Sequence, residues 1–106
     1  MIVTQMPISV LVPTDRTVVV PIGPVGMAVM GIQLFPDLRS GAKLDFYVLS
    51  DEEYRKLPSG SPYKQWFGDR LTEPVTLPGK GPWYLLVGNR SGQPVQLSGS
   101  LNYGAT

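Results

Sequence analysis

Apolar residues along this chain recur at every second position, in short runs separated by Gly and Pro. That period belongs to strands, where successive side chains point to opposite faces. Residues 8–12 form the first predicted strand, and 13–16 a turn in which Pro13 fixes φ and Asp15 can cap. Residues 17–22 follow, rich in β-branched side chains that suit a pleated surface. A second turn is expected at 23–26, and a third strand at 27–34 with Ala28, Met30, Ile32 and Leu34 on one face. Residues 35–41 read as a loop, and 44–50 as a strand that turns Leu44, Phe46 and Val48 toward the core.

The one helical signal comes next. Ser50, Asp51, Glu52 and Glu53 have the order of a capping box, with Ser50 as N-cap and Glu53 as its reciprocal partner. A short helical turn over 51–57 should follow and stop before Pro58. The stretch 58–69 reads as the longest irregular segment. Beyond it Val75 and Leu77 alternate, with Pro74 demoting part of that run to an edge. Residues 78–82 mark a turn. Residues 83–87 are apolar on both faces, as in a central strand. After a turn at 89–92, residues 95–103 alternate cleanly, with Val95, Leu97, Leu101 and Tyr103 inward. Seven to eight strands at this spacing, with no helix long enough for a crossover, predict an all-β, antiparallel β-sandwich of jelly-roll or immunoglobulin-like type. The 106 residues make one domain, with no internal repeat and no linker.

Composition narrows what such a domain can do. The chain has no His and no Cys, so the usual general base and the usual catalytic triads lack their central residue, and disulfides are excluded. A zinc site would have to be built from carboxylates alone. Ser9, Ser50 and Ser59 have neither a His nor a Lys at a recognisable spacing. Gly79-Lys80-Gly81 lacks the glycine spacing and trailing hydroxyl of a phosphate loop. No enzyme activity, cofactor or metal is therefore expected. The nine basic residues are scattered, without the stripe that tracks a phosphate backbone, so nucleic acid is not an expected partner. No apolar run reaches the length of a membrane helix. The first residues have no basic segment ahead of a long apolar one, so no signal peptide is expected and a cytoplasmic or assembly-associated protein is. Charged residues make up 16% of the chain and the net charge is +1, a surface poorly protected against association.

Two segments of the second half, DFYVLSDEEYRKLPSGSPY and VTLPGKGPWYLLVGN, place a strand, a Ser-capped turn and a polar loop ahead of a turn. The turn leads into an aromatic–aliphatic strand through Gly81, Trp83, Leu85, Val87 and Asn89. Over residues 42–103 this arrangement resembles the GOLD-type (emp24-like) sandwich and the similar sandwiches of prokaryotic surface proteins and pre-peptidase C-terminal domains. The Cys often found in the strand matching 85–87 of the GOLD type has no counterpart here. The resemblance implies a non-catalytic interaction domain.

Two groups of residues stand out for binding. Asp51, Glu52 and Glu53 are the one local set of carboxylates, readable as a cation site or as first-turn acids that favour the helix dipole. Tyr54, Tyr63, Trp66 and Phe67 lie on or beside the irregular stretch, with Lys64 and Arg70 among them. Aromatics on a loop over a rigid sandwich can anchor a protein or stack on a sugar. Alternatively Trp66 and Phe67 fold back to plug the end of the sandwich, with Tyr54 covering its edge. The expected function is a structural or interaction module that joins a homo-oligomer or larger assembly, such as a virion decoration or surface-assembly subunit. A carbohydrate-binding module using Tyr54, Tyr63 and Trp66 is the alternative.

Overall fold

The structure, a computed structural model, describes residues 2–22, 31–78 and 82–105. Seven strands and one short helix follow one another as β1 Ile2–Val12, β2 Thr17–Ile22, β3 Gly31–Ser50, α1 Asp51–Arg55, β4 Lys64–Leu71, β5 Val75–Pro78, β6 Trp83–Gly88 and β7 Val95–Ala105. All pairings are antiparallel, and the strands form a single curled sheet.

The curl comes from β3, a 20-residue strand that serves both layers of the fold. Its first half, through Ser40, pairs with β7 along one edge, and its second half, from Asp45, pairs with β6 there. On the opposite edge β5 and then β4 follow in the same way. The register with β4 shifts between Arg39 and Leu44, which marks the bend. A sandwich corner made by one strand changing layers is a known solution to closing a core. The first layer is thus β1-β7-β3, continued by β5. The second is β2-β6-β3-β4. Each layer turns alternate residues inward. Ile32, Leu34, Leu38, Phe46, Val48, Leu77, Leu85, Val87, Leu97 and Leu101 from both layers meet in one buried cluster.

Phe46, Val48, Trp83, Leu85, Val87 and Leu101 are all buried, as their period predicts. Strand β6 lies between β3 and β2, as its two apolar faces require. Several expectations need correction. Residues 35–41 are strand, not loop, because the inward alternation runs unbroken through Leu34, Pro36 and Leu38. Pro36 falls after β5 ends its pairing at Leu34 and before β4 begins at Leu38, so one edge of β3 has no partner there. The first strand starts at Ile2, well before residue 8. The helix stops at Arg55. Residues 64–69 of the supposed irregular stretch belong to strand β4, which runs on to Leu71. The turn at 23–26, the start of the third strand at 27–30 and the centre of the turn at 79–81 lie outside the described residues.

Candidate functional site

The outer face of the second layer is built from the cross-strand register. Phe67, Asp45, Gly88 and Thr17 form one outward row across β4, β3, β6 and β2. Gln65, Tyr47, Leu86 and Val19 form the next, and Leu49, Tyr84 and Pro21 the third. Leu49 and Leu86 are buried although they point away from the main core. The segment that runs from α1 into β4 explains this. Leu57, Pro58, Gly60 and Pro62 face Tyr47, Leu49 and Leu86 across a shallow groove. Val19, Leu57 and Phe67 remain exposed by 41%, 42% and 57%, so the cover is incomplete.

Sequence-local chemistry holds that cover in place. The Ser50 hydroxyl accepts from the Glu53 N–H at 3.3 Å and caps α1. Glu53 does not complete the capping box. Its carboxylate accepts from the Ser61 N–H at 2.9 Å, tying the loop back to the helix. That bond, helped by Lys56 and opposed by burial, holds the Glu53 carboxyl below its ordinary pKa. Asp51 takes Arg55 at 2.9 Å and the Tyr84 hydroxyl at 3.2 Å, and Glu52 takes Lys56 at 3.4 Å. All three first-turn carboxylates are thus engaged within their own domain. Burial, followed by the bond to Asp51, raises the Tyr84 hydroxyl above its ordinary pKa. Tyr54 stacks on Tyr84 at 4.2 Å between ring centroids.

The sequence-predicted site residues are not brought together. Tyr54 lies on α1 against Tyr84. Tyr63 meets Trp83 edge-on at 5.6 Å, and its hydroxyl donates to the Thr76 carbonyl at 3.3 Å. Trp66 and Phe67 are consecutive on a strand, so they point to opposite faces. Trp66 packs against the core and donates its indole N–H to Glu73 at 2.6 Å. It folds back onto the domain as one of the two earlier readings has it, while Phe67 does not. Lys64 and Arg70 are exposed near the two ends of β4, and Arg70 pairs with its neighbour Asp69 at 3.6 Å.

No protein-family model and no curated protein matches this chain.

The surroundings of Phe67 were not singled out from the sequence. Asp45, opposite it on β3, is buried, and Arg90 grips its carboxylate with two bonds of 2.7 and 3.1 Å. The same guanidinium lies 5.1 Å from the centre of the Phe67 ring, and the Lys43 ammonium lies 6.0 Å from it. The bond to Asp45 raises the Arg90 pKa further above its ordinary value. Lys43, Phe67, Arg90 and Ser91 line a second groove. Asn89 secures the loop that carries Arg90. Its side-chain N–H groups donate to the Val12 and Gln93 carbonyls at 2.9 and 2.7 Å, and its oxygen accepts from the Ser91 N–H and hydroxyl. The available signals for this corner were Asn89, already in the recognised motif, and an Asp at an alternating strand position. Neither pointed to Arg90, because that pairing spans β3 and the β6–β7 turn.

Proposed function

We propose that this domain is a non-enzymatic assembly subunit that packs against copies of itself through the outer face of its second layer. The carrying observation is that the apolar side chains of that face, spread over its three outward rows, are incompletely covered. Leu86 and Leu49 are buried beneath the 57–62 segment, while Val19, Leu57 and Phe67 stay exposed around them. A sheet face that leaves several large apolar side chains exposed is a candidate interaction surface on a small domain. The charge-poor composition supports the same reading, since little repulsion opposes like-with-like contact. The resemblance to the GOLD type, which implies a non-catalytic interaction domain, points the same way. A virion decoration or surface-assembly role fits such a subunit.

The test is the molar mass in solution, by light scattering over a range of concentrations. Val19→Ser/Phe67→Ser changes two exposed positions and should leave the fold intact while lowering the mass. A wild-type protein that stays monomeric throughout would rule out self-assembly.

One observation favours carbohydrate binding as a second reading. Phe67 is the most exposed large hydrophobic side chain among the described residues, and polar and cationic groups flank its ring in a groove. Tyr54 and Trp66, named for that role from the sequence, are engaged with their own domain. Retention of a monomer on a polysaccharide column, lost in Phe67→Ala, would favour this reading over assembly.

A further inference from the structure

Strands β1 and β2 lie on the same side of the sandwich, because β7 and β6 follow one another along the same edge of β3. Among the described residues β1 pairs only with β7, and β2 only with β6. Among the described residues, nothing pairs with the backbone donors and acceptors on the far edges of these strands. Met6 and Val10 on β1 and Val18 and Val20 on β2 face the core yet remain partly exposed. Among the described residues no strand covers the core along this side. Long free edges are ordinarily guarded by charged residues, chiefly lysine. Residues 2–12 contain no charged side chain, and neither do residues 17–22. Pro7 is the guard on β1, and it removes the donor at one position of an 11-residue strand.

We propose that β1 is a dimerisation strand, pairing antiparallel with β1 of a second copy across a two-fold axis to give one sheet continuous through both molecules. A second copy fits this edge for a reason of charge. Two-fold pairing sets a strand against itself, so any charge near the axis would meet its own kind, and this strand carries none. The edge offers the side chains of a charged peptide no ion pair. Full-length pairing of residues 2–12 puts the axis at Pro7 and sets Gln5 opposite Ser9 of the copy. The two prolines then face each other at the centre, and the arrangement loses the bonds of that position at most. Met6 of each copy then lies opposite Ile8 of the other and Val10 opposite Thr4, so the core-facing side chains of the two strands continue into one another. The inference rests on the assembly reading and adds to it. A two-fold contact alone ends at a dimer, whereas a second contact through the outer face of the other layer continues the assembly.

Gln5 and Ser9 are both exposed, so charging them leaves the folded monomer intact. Gln5→Lys/Ser9→Lys and Gln5→Glu/Ser9→Glu each bring like charges face to face. They are made in the Val19→Ser/Phe67→Ser background, where the outer-face contact is removed, and mass is measured by sedimentation equilibrium. The background protein is expected to be a dimer. Each charged variant alone is expected to dissociate at least about tenfold more readily. An equimolar mixture of the two is expected to recover the dimer, because opposite charges now meet. A background protein that is monomeric while wild type assembles overturns the β1 dimer and leaves the outer-face reading standing. Charged variants as dimeric as the background overturn it as well. A monomeric wild-type protein overturns both.

Discussion

The two outer faces of the sandwich share one chain, one core and one strand, β3, yet they differ in chemistry. The face of the first layer presents Gln5, Ser9, Gln96, Ser98, Ser100 and Asn102 in its outward rows, with Phe35 and Leu11 as isolated apolar points. The face of the second layer presents Tyr47, Leu49, Leu86, Tyr84, Val19 and Phe67, and a separate segment, 51–63, lies over part of it. A strand turns half of its residues away from its own core whichever layer it serves. On the first face most of those positions are polar and can stand in solvent. On the second, large apolar side chains stand among Gln65, Asp45 and Thr17, and the domain buries only some of them. The difference is that the second face is partly covered by its own chain, and the proposed assembly contact would cover the rest.

The largest expected effect removes both faces at once. Phe46 is completely buried where β3, β4 and β6 meet. Phe46→Ala should cost about 3–5 kcal/mol, a large part of the roughly 5–15 kcal/mol total of such a domain. Chemical denaturation checks this, and the two faces should unfold together if they share one core.

A pair of adjacent substitutions sharpens the comparison within one strand. Trp66→Ala should lower stability by about 2–3 kcal/mol, less than a full core truncation because Trp66 is only partly buried. It should leave association unchanged. Phe67→Ala should do the reverse, with stability nearly intact and association weaker by roughly 2 kcal/mol, as for an anchoring aromatic. Denaturation and sedimentation on both variants measure the two quantities. Equal stability losses would mean that both side chains serve the domain alone.

A smaller effect concerns the cover of the second face. The Glu53 carboxyl is held below its ordinary pKa, chiefly by the bond from the Ser61 N–H. Its contribution is therefore fully present above the unfolded pKa and is lost as pH falls through the folded one. Acidification through the carboxylate range should loosen residues 51–63 first. The near-ultraviolet circular dichroism of the Tyr54–Tyr84 stack should weaken before global unfolding. Amide exchange on the first face should not change over that window, since Glu53 does not reach it.

How much of this was legible in the sequence depends on whether a signal was local. The alternation of Leu44, Phe46 and Val48 and the cap at Ser50 are both local, and both appear as expected. Pro36 was misleading because a proline in isolation signals a loop. What permits it is the gap between β5 and β4 beside β3, a non-local fact. Strand β4 escaped notice for another reason. Its inward positions include Lys64 and Gly68, and its outward ones include Phe67, so hydrophobicity does not alternate along it. Reading 64–69 as a loop grouped Trp66 with Phe67, when strand geometry separates them. The pairing of Arg90 with Asp45 spans distant segments, and no sequence spacing announces it.

The most direct test of the central claim compares matched side chains on the two faces. Phe67 and Leu57 on the second face and Phe35 and Leu11 on the first are all exposed by 39% to 57%. Hydroxyl-radical footprinting at low and high protein concentration reads each of them separately. The account predicts that Phe67 and Leu57 lose reactivity as the protein associates while Phe35 keeps its own. Protection of Phe35 with Phe67 and Leu57 unchanged would contradict it.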